Sequence, residues 1–445
     1  MPITRRAFLA TPALAFAADP KPNIVLIMAD DMGFADLSSY GATDIRTPHI
    51  DSIGKQGVRF TNAYCNAPEC TPSRTALLTG RYQQRVGGLE CALGVGNVGR
   101  YDEAIWLRER NQMGLPQEEV TIARMLRQAG YDTACSGKWH LGYTADFSPN
   151  RHGFDEYFGI LGGNADYYKH SEEDGTNVLY ENGKPVQREG YLTDLIGGHA
   201  VNWLKRRTTK PFFLYVPFSA PHSPYQSHTV KEFPPGGFNK GSRKTYAEMV
   251  EIMDTQVGAI LAQLDRMGAT KNTWVIFLSD NGGTNIGSNK PYRGNKSSVW
   301  EGGIRTACVM RWPGVLRPGS ETAQISLMMD ITASIAAAAG AKPPRKLDGE
   351  DLLAYWKGEK PPKPRTVFWR YRRAENTRKA VRHGDWKLVN DNGNESLHHI
   401  GRDPREQNNQ LAQEPAIAAD LRSRLAAWEQ DVRAPRLKDF YASRR

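Results

Sequence analysis

Cysteine is scarce. Five in 445 residues cannot supply a disulfide scaffold. No apolar run approaches the roughly 18 residues that a membrane helix needs, so no stable membrane insertion is expected. Internal repeats and low-complexity tracts are absent, which excludes a solenoid and a disordered linker protein. Histidine is also thin, at ten residues, so each one carries little weight alone. What is present is a hydrophobic fraction of 40% with 42 Gly and 27 Pro, enough to bury a sizeable core. At about 100–200 residues per domain, the length predicts two or three domains, or one large α/β domain with an appendage. Lys and Arg (58) outnumber Asp and Glu (48), for a net charge of +10. That balance favours a polyanion, whether nucleic acid, sulfated glycan, phosphate or anionic lipid, without choosing among them.

The N-terminus opens Met1-Pro-Ile-Thr-Arg-Arg-Ala-Phe-Leu and reaches the small-x-small triplet Ala15-Phe16-Ala17 after a weakly apolar stretch. Residues 1–18 therefore read as a signal peptide of twin-arginine type, and the protein is expected to be exported to a periplasmic or extracellular compartment. That route carries folded proteins, so the chain folds before it reaches an oxidising compartment, which argues against essential disulfides.

The body alternates apolar runs with helical patterns. Asn23–Met28, Val58–Tyr64, Asp132–Ser136, Phe212–Pro217 and Trp274–Ser279 read as strands. Val120–Ala129, Leu192–Arg207 and Tyr246–Met267 read as helices. The alternation predicts an α/β fold with a large, mostly parallel sheet covered by helices on both faces. The pattern changes near Ala341–Lys346, a Pro- and Lys-rich linker. Short strands are expected at Val367–Tyr371, Lys379–Arg382, Trp386–Val389 and Ser396–His399, followed by a helix at Ile417–Val432. The expected division is a catalytic domain at 19–343 and a small antiparallel subdomain at 344–445.

Ligands of open α/β sheets bind beyond the carboxyl ends of the strands. Just past four predicted strands stand Asp30-Asp31, Lys138 with His140, His222, and Asp280-Asn281. Three carboxylates and an amide form an all-oxygen set suited to Ca²⁺, with Mg²⁺ possible, and less suited to zinc.

The segment Cys70-Thr-Pro-Ser-Arg-Thr-Ala-Leu-Leu-Thr-Gly-Arg81 resembles the defining motif of the type I sulfatases, Cys-x-Pro-Ser-Arg followed by Leu-Thr-Gly-Arg. The likeness runs in order and spacing from about Pro22 to Gly314. Gly153–Gly159, Asp166–His170 and Arg293–Arg305 are closest to the arylsulfatase B (N-acetylgalactosamine-4-sulfatase) branch. The resemblance implies an alkaline-phosphatase-like sheet and removal of sulfate from a sulfated carbohydrate, with a galactose or N-acetylgalactosamine sulfate favoured. It implies that a formylglycine-generating enzyme converts Cys70 to formylglycine (3-oxoalanine), and that nucleic acid is not a partner. Asp30, Asp31, Asp280, Asn281 and the modified Cys70 would hold Ca²⁺. Arg74 would pin the aldehyde hydrate and His140 would act as its base. Lys138, His222 and Lys296 would contact sulfate, with His222 or Lys296 protonating the leaving alcohol. Tyr167, His170, Arg293 and Arg372 are the expected substrate contacts. Two alternatives are a phosphate or phosphonate monoester hydrolase on the same scaffold, and a sulfated-glycan-binding protein in which Cys70 stays a thiol.

Cys91–Glu118 matches nothing in that branch. Cys135 and Cys308 fall in strands and read as inert core thiols; Cys65 and Cys91 flank the motif, and their pairing is left open. Pro361–Val389 carries nine Lys or Arg against Glu375 and Asp385, a net of +7. That stretch reads either as a face that holds an anionic glycan or as an ordinary solvated sheet face.

Overall fold

A computed structural model describes residues 21–207, 209–232 and 237–444. The signal segment 1–18 lies outside these. Ten strands form one sheet, in the spatial order Ser320–Thr322, Val58–Phe60, Cys308–Arg311, Thr273–Ser279, Asn23–Ala29, Phe212–Pro217, Asp132–Ser136, Glu156–Ile160, Leu179–Glu181, Lys184–Pro185. The run from Thr273–Ser279 to Glu156–Ile160 is parallel throughout, and antiparallel strands flank it on both sides. This is the mixed, mostly parallel sheet expected.

The apolar run in Asn23–Ala29 has a simple cause. Ile24, Leu26 and Met28 face one core, while Val25, Ile27 and Ala29 face the other. A strand covered on both sides needs an apolar residue at every position. The helices Leu192–Lys205 and Arg243–Arg266 cover one face, through Ile196, Trp203, Val250, Met253 and Val257. The helices Cys70–Thr79, Ile122–Gln128 and Met328–Ala338 cover the other, through Leu77, Leu126, Ile331 and Ile335.

One predicted strand divides. Val58–Phe60 joins the large sheet, whereas Ala63–Tyr64 pairs with Ser326–Leu327. The bend at Thr61-Asn62 is clamped by Arg305, whose Nε donates to the Thr61 carbonyl at 2.8 Å and whose Nη2 donates to Asn62 Oδ1 at 2.7 Å.

After the Ala341–Lys346 stretch, Thr366–Arg373, Asn376–His383, Trp386–Asp391 and Asn394–His399 form an antiparallel meander, followed by the helix Pro415–Asp431. The meander is not separate from the main body. Trp369 is fully buried and donates from Nε1 to the Cys65 carbonyl at 2.8 Å, and Val367, Leu388 and Trp428 share a core with the Cys70 helix.

The nine basic residues of Pro361–Val389 are ion-paired rather than left to solvent alone, with Lys363 and Arg373 still 39% and 40% exposed. Each has a carboxylate within reach, most often on another element: Arg370 with Glu90 and Glu429, Arg372 with Glu103, Arg373 with Glu69, Lys387 with Glu301 and Glu406. The positive charge is used inside the molecule to join the meander to the main sheet.

Lys387 is the deepest of these. Its Nζ lies 2.9 Å from Glu301 and 2.8 Å from Glu406, with all three side chains at 0% exposure. Removing one partner of such a set strands the other charges in a dry interior. Lys387→Met is expected to cost about 3–5 kcal/mol, read as a lower urea midpoint at unchanged slope; a loss under ~1 kcal/mol would show that the triad does not hold the two parts together.

Candidate active site

The ends of four neighbouring parallel strands deliver the polar residues. Asp30 and Asp31 follow Asn23–Ala29, Asp280 and Asn281 follow Thr273–Ser279, His222 lies beyond Phe212–Pro217, and Lys138 and His140 lie beyond Asp132–Ser136. Gly137 makes the last placement possible. Its φ is 139°, and a Cβ there would stand 1.9 Å from the Pro217 carbonyl, so only glycine lets this strand end approach its neighbour. Asp31 (φ 62°) and His140 (φ 56°) are held in the left-handed region, a cost that a packed site can impose.

Cys70 opens the helix Cys70–Thr79, all ten residues of which are buried. Its thiol donates to Asp30 Oδ1 at 3.3 Å. The Nζ atoms of Lys138 and Lys296 lie 3.5 and 3.7 Å from its sulfur. Lys138 also donates to Asp30 Oδ2, and Lys296 donates to Asp31 Oδ2 at 2.7 Å. Arg74, one helical turn on from Cys70, donates twice to Asp280 Oδ2, at 3.1 and 2.8 Å, and from Nη1 to the Lys138 carbonyl at 2.8 Å. His222 Nε2 is 3.5 Å from Asp31 Oδ2. Metal-ligating atoms of Asp30, Asp31, Cys70 and His222 all fall within 4.8 Å of one another.

The electrostatics follow from burial. Burial pushes the Asp280 carboxyl up to about 6, Asp30 adds repulsion, and Arg74 opposes both. Burial would raise Asp31 as well, but Lys296 and His222 outweigh it and hold that carboxyl well below its usual range. The Cys70 thiol is raised by burial and by Asp30, against the two lysines. His140 is pulled down by burial and by Lys138, and so is neutral. Its Nε2 is 3.0 Å from the Leu93 carbonyl, while its Nδ1 is buried without a partner. A carbonyl only accepts, so Nε2 carries the proton and Nδ1 is left a bare acceptor.

Three carboxylates packed into a dry space fit a hard divalent cation, and one atom points to it directly. Asn281 donates from Nδ2 to Asp31 Oδ1 at 2.7 Å, yet its Oδ1 is buried with no donor. A buried carbonyl oxygen left bare among carboxylates is a cation ligand in waiting.

The remaining predicted residues are placed differently. Tyr167 stands behind the site and donates from its hydroxyl to the His222 carbonyl at 2.9 Å. His170 is buried with Nε2 at 3.1 Å from the Gly190 carbonyl. Arg293 lies over the Trp300 ring and donates to the Glu406 carbonyl at 3.1 Å. Arg372 is taken up by Glu103 and lies over Tyr101. Of these four, only Tyr167 meets the Cys70 cluster, and it does so through the His222 backbone. All five cysteines are free thiols, so Cys65 and Cys91 are not paired.

Glu69 was not read from the sequence, although it precedes Cys70. Its buried carboxylate accepts from the Ala92 amide at 2.7 Å, Ser297 Oγ at 2.7 Å, Tyr371 at 3.0 Å and Arg373 at 3.0 Å. One carboxylate thus joins the Cys70 helix, the Cys91 segment, the Lys296 loop and the C-terminal meander.

The family model described as Sulfatase matches residues 22–341, nearly three quarters of the chain. The chain belongs to the sulfatase family. It is therefore a sulfuric ester hydrolase with the fold expected of type I sulfatases. A second model, N-sulphoglucosamine sulphohydrolase C-terminal, matches residues 294–431. Among curated relatives, rat N-acetylgalactosamine-6-sulfatase is 35% identical, over 76% of this chain and 66% of its own length. Mouse steryl-sulfatase is 33% identical, over 79% of this chain and 67% of its own. The chain thus spans about two thirds of the length of these relatives. Among solved structures, Ps i-CgsB in complex with k-i-k-neocarrahexaose is 32% identical with a TM-score of 0.83, covering 93% of this chain and 94% of that one. These likenesses reach several sulfatase branches and do not single out the 4-sulfatase branch.

A bound cation would relieve the repulsion among Asp30, Asp31 and Asp280. After treatment with EDTA, Ca²⁺ at a hundredfold excess over its Kd is expected to add about 2.7 kcal/mol to the unfolding free energy. Asn281→Leu should lose most of that gain. An unfolding midpoint unmoved by Ca²⁺, Mg²⁺ and EDTA would remove the cation from the site.

Proposed function

We propose that this chain is an exported sulfatase that removes sulfate from a sulfated carbohydrate, a galactose or N-acetylgalactosamine sulfate, using a formylglycine made from Cys70 and a bound Ca²⁺. One observation carries the reading: Cys70 lies between the ammonium groups of Lys138 and Lys296, on the carboxylate of Asp30, inside an oxygen-rich cluster. The galactosamine sulfatases among the relatives and the carrageenan-type oligosaccharide bound to the similar structure support the carbohydrate class.

Asp30, Asp31, Asp280 and Asn281 would hold Ca²⁺, which when bound polarises the nucleophile and offsets sulfate charge. An aldehyde hydrate at Cys70 supplies two hydroxyls on one carbon, one to attack sulfur and one to drive sulfate out afterwards. The chain's own residues do the rest. Arg74, fixed between Asp280 and the Lys138 carbonyl, has no freedom to swing away. Lys138 and Lys296 place positive charge where the sulfate oxygens would spread theirs. Neutral His140 offers its bare Nδ1 as the base. His222 gives Nδ1–H to the Ser223 carbonyl at 2.7 Å, and burial with the two lysines pulls its pKa down to about 3. It therefore carries no proton on Nε2 at neutral pH. Burial works against the Lys296 charge, but Asp31 and its neighbours raise its pKa well above the usual value, so Lys296 is the group with a proton to give the leaving alcohol.

The Cys70 helix is buried along its whole length, so the modifying enzyme would have to read the motif before the chain folds. With a twin-arginine signal, modification and folding would both precede export.

The test begins with the tryptic peptide Phe60–Arg74 from protein made in its native host. A mass about 18 Da below the thiol form reports the aldehyde, and Cys65 in the same peptide is the internal control. Modified protein should turn over nitrophenyl sulfate with a higher kcat/KM than nitrophenyl phosphate. An intact thiol in active protein, or preference for the phosphate ester, would overturn the reading. Lys296→Ala should lower kcat by about a hundred- to ten-thousandfold on an alkyl sulfate and by less on nitrophenyl sulfate, whose leaving group needs no proton.

A further inference from the structure

The Cys91–Glu118 segment, which matched nothing in the resembling branch, folds against the site. Gly94 and Val98 exchange backbone hydrogen bonds of 3.1 Å and close a tight hairpin, with Gly96 and Asn97 at positive φ. The hairpin is fastened to catalytic-site loops at three points. The Leu93 carbonyl meets His140 Nε2, the Leu93 amide donates to Thr71 Oγ1 at 3.1 Å, and Asn97 Oδ1 accepts from the Tyr143 amide at 2.7 Å. Val95 and Val98 stand 38% and 36% exposed on it.

Arg100 leaves this hairpin with a guanidinium that the protein does not use. It lies against Gly94, where a Cβ would meet Nη2 at 3.1 Å and Nε at 3.5 Å. Its backbone is held by the Ala374 amide, which donates to the Arg100 carbonyl at 2.6 Å. Its Nε is buried without an acceptor, and among the described residues the side chain makes no ion pair. The contrast with its surroundings is sharp, because Arg370, Arg372, Arg373 and Arg378 each hold a carboxylate. A half-buried guanidinium without an anion is costly, and its planar fork matches carboxylate and sulfate oxygens in pairs.

We infer that Arg100 is a specificity-determining residue that binds a second anionic group on the substrate, a carboxylate or a further sulfate on the sugar next to the one being cleaved. The inference rests on the sulfated-carbohydrate reading above. Val98, which shares the Gly94 neighbourhood with the guanidinium, and the exposed Val95 of the same hairpin suit the C–H face of a sugar ring. Gly94 gives the guanidinium its seat, and the fastening through Leu93 and Asn97 fixes that seat relative to His140.

Binding is measured in the Cys70→Ser background, which needs no aldehyde, with three galactose-type disaccharides: monosulfated, disulfated, and monosulfated with a uronic acid. Wild-type Arg100 should favour one or both of the doubly anionic ligands, and which one identifies the second anion. Arg100→Ala should weaken binding of that ligand by roughly ten- to hundredfold and leave binding of the singly charged monosulfated disaccharide unchanged. Arg100→Lys should recover only part, since an ammonium lacks the fork. In protein retaining Cys70, Arg100→Ala should keep full kcat on nitrophenyl sulfate. Equal losses on all three disaccharides, no loss on any, or a fall in nitrophenyl sulfate turnover would each overturn the inference. Failure of the hydrolase reading looks different: modified wild-type protein would turn over no sulfate ester while the affinity difference persisted.

Discussion

Asp30, Asp31 and Asp280 are three acids almost wholly withdrawn from water at the edge of one sheet, and much of the architecture answers their mutual repulsion. Arg74, Lys138 and Lys296 each bring a positive charge to a different one or pair of them. Those cations come from a helix, a strand end and a loop that are far apart in sequence. Their common need for the carboxylates is what draws these segments to one place. Charge balance is thus both the folding constraint and the means by which the site can take an anionic ester. Beside them the Oδ1 of Asn281 is buried without a donor.

The C-terminal meander supports this arrangement from behind. Lys387 links Glu301 and Glu406, and the Glu301 amide donates to Glu406 Oε2 at 2.7 Å. Arg378 and the Tyr371 hydroxyl reach Ser297 and Glu69 beside the site. The loop that carries Lys296 is therefore clamped from the strand end at Gly282-Gly283 on one side and from the meander on the other. A positive stretch that looked available for a polyanion is instead the fastening that keeps Lys296 in position.

The sequence made the sheet and the carboxylates legible for a physical reason. A strand buried on both faces must be apolar throughout, so Asn23–Ala29 and Thr273–Ser279 stand out, and the first polar residues past them mark the ligand edge. The Cys70 motif is legible because every position in it has a contact to make: Ser73 Oγ donates to the Ala67 carbonyl at 2.6 Å, and Thr71 Oγ1 donates to the His140 carbonyl at 2.9 Å. The basic stretch at Pro361–Val389 was illegible because composition reports charge without reporting its partners, and Glu69, Glu90 and Glu103 are more than 250 residues away. The same blindness hid Glu69, whose four donors come from three separate segments. Tyr167 illustrates a milder failure. Its place in a motif was readable, but only the fold shows its hydroxyl spent on the His222 backbone.

The hairpin at Gly94–Val98 turns these constraints toward selectivity. The cluster around Cys70 is closed by its own charge balance, and any substitution there disturbs the chemistry. Variation in substrate choice must then sit on segments that touch the cluster through backbone groups alone. The hairpin does this at His140, which it meets through the Leu93 carbonyl, so that its side chains can change without changing that contact. Arg100 is placed on such a segment, near the chemistry and outside its charge balance, which is the position from which a residue can read the rest of the sugar while leaving the sulfate chemistry intact.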